Sequence, residues 1–351
     1  MHSTLSPIMM HNVTNTYILS STCKMNAFEK TFFVWNNTYR ISAYIVCISI
    51  CIFGIIGNIL AFTGLQNAKQ CSIQFLLKTL AITDTAFLII MINWTINSYI
   101  IDSEWDWIST YRCIYSAFIL YYIIIPLFYF THTITVWIAV LLGINRYIIV
   151  CYPLYAKQFS RVKVNKICIC VIIGCAFILS SWSGIFANVT TVKVQNNLTC
   201  YRFESRFDNG KHLTWLIGNF HEQILIFLAP FITLLIITIG LIKALRRARQ
   251  MRNRIQASPQ QTQERILTRT VIAVLVVFTV CQSTLLVQLI VCLYLYVLKT
   301  DWSYEIFPFY NDVLIPSSNI FLAFNSSINI VIYIVVNRTY RQLMLKQICN
   351  R

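Results

Sequence analysis

Apolar runs too long for an ordinary soluble core recur along the chain, near Ile41–Leu65, Phe75–Ile100, Cys113–Val150, Ile167–Ala187, Leu216–Ala244, Ile266–Leu298 and Val313–Val336. Each reaches the roughly 20 residues that a helix needs to cross a hydrocarbon layer about 30 Å thick. Only helices and closed barrels satisfy their own backbones in lipid, and the runs are too long for barrel strands. The pattern therefore predicts an all-α membrane protein, a bundle of seven transmembrane helices over residues 41–336. Residues 1–40 lack a basic stretch leading into an apolar run with a cleavage site, so they read as a translocated tail with no signal peptide. Residues 337–351 mix Tyr340, Leu343, Leu345 and Ile348 with basic residues, which predicts a short amphipathic helix lying on the membrane surface.

Composition strengthens this picture. Of 351 residues, 57% are hydrophobic and 11% charged, against about a quarter charged in soluble domains. With 9 Gly, 7 Pro and no internal repeat, disordered, collagenous and solenoid architectures are excluded. The net charge of +16 settles orientation rather than suggesting a nucleic-acid partner. With the N-terminus outside, the inner loops and tail hold 19 of the 28 Lys and Arg, while ten of the 12 acids lie outside, Glu264 is inside and Asp84 is in span two. That is the positive-inside distribution, and the basic face meets anionic lipid and cytosolic partners.

Sequons at Asn12, Asn36, Asn188 and Asn197 all fall on the outer side, where glycans are added. Three of the 13 cysteines, Cys23, Cys113 and Cys200, are plainly extracellular. Cys113 opens span three and Cys200 lies in the loop between spans four and five, so a bridge between them would tie that loop over the mouth of the bundle.

Polar residues inside the spans are costly and are functional candidates by default. Asn58, Asp84, Asn325, Ser326 and Asn329 stand out, with Thr135 beside them in span three. One carboxylate with several amide and hydroxyl oxygens suits a small hard cation such as sodium, or a hydrated network; a plain interhelical polar contact is the alternative. No other cofactor and no metal site is expected. At the inner end of span three, Asn145-Arg146-Tyr147 places an arginine at the membrane boundary. Arg146 either snorkels or pairs with Glu264 at the inner end of span six, an ion pair whose rupture would act as a switch.

Over about residues 40–348 the sequence resembles a rhodopsin-like (class A) G-protein-coupled receptor. The matching pieces are Gly57-Asn58, Leu80-Ala-Ile-Thr-Asp84, Cys113 with Cys200, Asn145-Arg146-Tyr147, Pro230 in Phe227-Leu-Ala-Pro230-Phe, Phe278-Thr-Val-Cys281-Gln282 and Asn329-Ile-Val-Ile-Tyr333. The resemblance implies that Arg146 contacts a heterotrimeric G protein when span six swings outward, with Tyr333 as a switching side chain, and that the chain is not an enzyme. It departs from the family pattern in Asn145, where an aspartate is usual, in Ile330 and Ser283-Thr284, where prolines are usual, and in Thr238, where span five often has a tyrosine. Losing the aspartate removes a local restraint on Arg146 and predicts raised basal signalling. Losing the prolines predicts straighter spans six and seven. Cys113 also lies 33 residues before Arg146, about two turns beyond the family spacing, with Pro126 marking where the extra turns bend away.

The ligand is read from the outer half. Between Arg112 and Arg146 there is no acid to hold an amine, and no lysine lies between Lys299 and Lys346 to hold retinal. Instead Trp94, Phe128, Tyr129, His132 and Gln282 suggest an aromatic pocket, rimmed by acids that include Glu222 and Asp312. Such a pocket fits an amidated peptide carrying Arg and aromatic side chains, and Glu222, an acid within span five beside His221, is its best arginine contact. His132-Thr-Ile-Thr135-Val-Trp137 and Asn325-Ser-Ser-Ile-Asn329 are similar to invertebrate neuropeptide receptors of the FMRFamide and myosuppressin type. A receptor for an odorant or small lipid is the nearest alternative, and a seven-span transporter or ligand-gated channel a more distant one. The expected site is the plasma membrane.

Overall fold

The computed structural model describes residues 27–66, 72–102, 123–152, 155–156, 161–194, 198–205, 223–252, 259–297, 310–336 and 341–342. Among the described residues the main α-helices run as α1 (Ala27–Gln66), α2 (Ser72–Asp102), α3 (Ile125–Cys151), α4 (Val162–Phe186), α5 (Ala229–Arg252), α6 (Pro259–Val297), α7 (Ile315–Ser327) and α8 (Asn329–Val336). Helices α1 to α6 each contain a stretch apolar and long enough to cross a membrane, and α7 with α8 forms a bent seventh span. Helix α1 begins at Ala27, well ahead of Ile41, so part of the expected tail is helical.

Helix α3 is the hub, packed against α2, α4, α5 and α6, while α1 is held between α2 and α7. The inner core gathers Leu76, Leu80, Ile138, Leu142, Leu234, Leu275 and Phe278, all buried, and the lipid-facing sides carry exposed Ile, Val and Phe. Two glycines let span seven approach α1 closely. A Cβ on Gly57 would stand 2.6 Å from Ile330 Cγ2, and one on Gly54 would overlap Ser327 Oγ and lie 2.7 Å from Leu88 Cδ1. Gly174 on α4, by contrast, has nothing within 4 Å.

Three prolines share a local solution. Pro126, Pro230 and Pro316 each sit in the first turn of an α-helix, and each helix is preceded by π-helical residues: Ile123 and Ile124, Gln223–Leu228 and Tyr310–Leu314. A proline lacks an N–H and its ring crowds the carbonyl four residues back. In the first turn the missing donor costs nothing, and a widened turn before it moves the crowded carbonyl away. Pro126 therefore begins the regular part of α3, and the extra turns toward Cys113 that it was expected to bend away lie outside the described residues.

Span seven corrects a second expectation. Although Ile330 replaces a proline, α7 and α8 meet at Ile328 with a bend of 43°. Neighbouring helices supply the cause. Asn58 Nδ2 donates to the Ser326 carbonyl at 2.9 Å, and that oxygen would otherwise accept from Ile330 in a regular helix. The Ser327 hydroxyl bonds back to the Ala323 carbonyl at 2.7 Å and reaches the Ile50 carbonyl at 3.0 Å, a substitution for ladder bonding that bends helices. Span six runs unbroken through α6.

Between spans four and five lies an antiparallel hairpin, β1 (Ala187–Val194) and β2 (Leu198–Ser205), with Val192 opposite Cys200. The β-branched run Val189-Thr-Thr-Val192 and the Asn196-Asn197 connection are ordinary hairpin signals.

Candidate functional site

Three layers of polar and aromatic side chains run through the bundle. The middle layer joins α1, α2 and span seven. Asn329 Nδ2 donates to Asp84 Oδ2 at 2.7 Å, and Asn58 Nδ2 donates to the Ser326 backbone carbonyl. All are essentially closed to solvent, as are Thr135 and Asn325. Five oxygens here have no hydrogen-bond partner among the described residues: Asn58 Oδ1, Asp84 Oδ1, Thr135 Oγ1, Asn325 Oδ1 and Asn329 Oδ1. A buried acceptor left open costs about 1–3 kcal/mol, so this layer is built to receive donors or a cation.

The inner layer surrounds Arg146, which is 0% exposed despite its charge. Beside it Asn145 Nδ2 lies 3.1 Å from Asn165 Oδ1 and 3.4 Å from Ser72 Oγ. Tyr147 stacks edge-on with Tyr152 at 6.2 Å, close enough to Gly240 that a Cβ there would touch its ring at 3.0 Å. Tyr333 is buried in the same core cluster.

The outer layer is an aromatic cup. Phe128 lies 5.2 Å from Trp94, 5.6 Å from Tyr129 and 5.6 Å from Phe87, measured between ring centroids. His132 stacks on Phe128 at 6.1 Å and meets Phe227 at 5.1 Å. Its Nε2 stands 3.1 Å from the Gln282 amide nitrogen, which ties α3 to α6 across the middle of the bundle. A narrow crevice beside Gln282 is lined by Phe227, Leu228 and Phe231 of span five and Leu285, Leu286 and Leu289 of α6. Arg40 Nη1 and Asp312 Oδ1 form a 2.9 Å ion pair joining the outer ends of α1 and span seven. Tyr39 and Ser317 hydrogen-bond alongside at 2.8 Å.

The model of the family described as 7 transmembrane receptor (rhodopsin family) matches residues 57–333, from the second half of span one to Tyr333 of span seven. The chain belongs to the rhodopsin-like family of seven-transmembrane receptors. It is thus a multi-pass membrane receptor and not an enzyme. Among curated proteins, the Drosophila melanogaster FMRFamide receptor is 23% identical over 299 residues, covering 84% of this chain and 51% of that protein. The chain spans about half the length of this relative.

Most of the receptor's sequence-predicted site residues fall in these layers. Asn58 is hydrogen-bonded to Ser326 and Asn329 to Asp84, and Thr135 and Asn325 are buried with open oxygens. Trp94, Phe128, Tyr129, His132 and Gln282 form one cup. Asp312, read from sequence as part of a ligand-facing rim, is engaged by Arg40. Glu222, Cys113, Asn12 and Asn197 lie outside the described residues, and of Asn36, Asn188, Cys200 and Glu264 only the backbone is described. Sequence reasoning missed Arg40, Ser72 and Asn165. The signal was faint: Arg40 is the last charged residue before span one, and Ser72 and Asn165 are polar positions in the first turns of α2 and α4.

Proposed function

We propose that the chain is a plasma-membrane receptor, N-terminus outside, that binds an extracellular amidated peptide carrying Arg and aromatic side chains and activates a heterotrimeric G protein. The observation that carries the ligand reading is the aromatic cup around Phe128, whose α3 wall has no carboxylate for an amine. Similarity to a protein named FMRFamide receptor supports it. Because Arg40 already occupies Asp312, Glu222 is the stronger arginine contact. A Cys113–Cys200 bridge and glycans at Asn12, Asn36, Asn188 and Asn197 belong to the same reading, as does contact of the basic run Arg246-Arg247-Ala-Arg249 with anionic lipid.

Glu222→Gln removes one charge and keeps the shape. Potency for an Arg-Phe-amide peptide is expected to fall about a hundredfold in a G-protein reporter assay, in line with the loss of a buried charge-assisted pair. An unchanged response would favour the odorant or small-lipid reading, whose support is the apolar crevice beside Gln282.

The middle layer supplies an allosteric cation site on the same reading. The donor set fits a sodium ion: one carboxylate and four neutral oxygens, each open and buried. Replacing NaCl by N-methylglucamine chloride is expected to raise the basal signal of the native receptor several-fold. Asp84→Asn should abolish that difference, and a variant that still responds to sodium would remove the site.

A further inference from the structure

Where the family usually carries an acid beside its arginine, this chain has an amide, Asn145. Ser72 is the first residue of α2, and Asn165 lies in the first turn of α4. Both meet Asn145 near the inner end of α3, and Asn165 Nδ2 also donates to Ser72 Oγ, closing a triangle of three side chains. Asn145 is 5%, Asn165 1% and Ser72 8% exposed. The Nδ2 of Asn145 is engaged by both bonds while its Oδ1 is buried without a hydrogen-bond partner among the described residues, and Arg146, next in sequence, is buried in the core. Adjacent residues on one helix rotate together, so whatever fixes the azimuth of Asn145 fixes that of Arg146. A neutral network buried this deeply neither titrates near neutral pH nor is screened by salt, unlike a carboxylate–guanidinium pair at the membrane boundary.

We propose that Ser72 and Asn165 are positioning residues that hold Arg146 in its signal-off orientation by clamping Asn145 between α2 and α4. The proposal rests on the receptor reading above for its signalling consequence, but not for its structural one. Freeing α3 from the triangle leaves amide groups buried and open, so rotation of its inner end becomes easier and the population able to engage a G protein rises. The triangle also explains how Asn145 serves as a partial substitute for an aspartate.

The test measures ligand-independent nucleotide exchange on purified G protein, together with hydrogen exchange over residues 140–152 in the receptor alone, for full-length chains in membranes matched for receptor amount. Asn165→Ala and Ser72→Ala are each expected to raise basal exchange about fivefold. Ser72→Thr, which keeps the hydroxyl, should restore the native level. Adding Asn145→Ala to Asn165→Ala should bring no further rise, because both cut the same network. Asn145→Asp should lower basal exchange below native, since, with the Asn165 amide flipped, its carboxylate accepts charge-assisted bonds from Asn165 Nδ2 and the Ser72 hydroxyl. A side chain that merely packs would move thermal stability in every variant without reversing sign between Asn145→Asp and Asn145→Ala. Additive effects, or Asn165→Ala with unchanged nucleotide and hydrogen exchange, would overturn the proposal. Faster hydrogen exchange in Asn165→Ala with no nucleotide exchange from any variant would uphold the clamp and refute the G-protein reading instead.

Discussion

On the proposed function, Arg146→Ala is expected to abolish G-protein activation, with nucleotide exchange falling at least a hundredfold from the native level, about 2.7 kcal/mol of lost coupling. The expectation follows from the position of the guanidinium. It is the largest fully buried side chain among the described residues, at the inner end of the hub helix α3. Burying a permanent charge there is costly and is not demanded by packing, since a leucine would fill the space without the desolvation. Its retention is explained if an outward movement of span six exposes it to a partner. Agonist-stimulated exchange, compared with receptor quantity at the cell surface, checks the point. Arg146→Lys should recover little, because a point charge does not reproduce the planar fork of donors. Full activity in Arg146→Ala would show that the inner loops alone make the productive contact.

Gly54→Val removes the folded receptor. The new side chain would overlap Ser327 Oγ and press on Leu88 Cδ1, at an interface where α1 and span seven are already fixed by the Asn58–Ser326 and Ser327–Ile50 bonds. Overpacking costs typically 1–3 kcal/mol when neighbours can yield. Here they are held by backbone hydrogen bonds, so the cost is placed at about 3 kcal/mol, a large part of the few kcal/mol that keep a domain folded. Fluorescence size-exclusion chromatography of the tagged receptor is expected to show the monodisperse peak reduced at least tenfold. Gly174→Val supplies the control. Its Cβ meets nothing, and a β-branched residue facing lipid should leave the peak unchanged. Loss of the peak in both variants would mean that valine disturbs helix insertion in general and not this packing.

Seven spans and the central polar set were legible in the sequence because lipid imposes one coarse rule. An apolar run of fixed length must cross, and a polar residue within it must have a use. Asp84 and Asn329 were found that way, each by its own improbability in a membrane, whereas His132 and Gln282 were read as pocket residues and their contact was not foreseen. What the sequence concealed depends on which helices become neighbours. Ser72 and Asn165 look like ordinary helix-start residues until α2 and α4 are placed beside Asn145. Arg40 and Asp312 lie 272 positions apart, and nothing local links them. Span seven bends because Asn58 and Ser327 redirect its hydrogen bonds, a tertiary cause that a missing proline cannot report. The hairpin after α4 was the exception, since its alternating β-branched residues were readable and lay in what was read only as a loop.

The π-helical turns at the outer ends of spans five and seven bear on how such a receptor changes over generations. In a regular helix, one inserted residue turns everything beyond it by about 100° and advances it about 1.5 Å. A π-turn swallows that residue and confines the rotation to its own side. Gln223–Leu228 and Tyr310–Leu314 thus separate the extracellular ends from the deeper turns carrying Thr238, Asn325 and Asn329. Insertion or loss of a residue at these joints re-aims the mouth of the bundle while leaving the cytoplasmic machinery in register, so new ligands can be tried by a lineage without rebuilding the means of signalling.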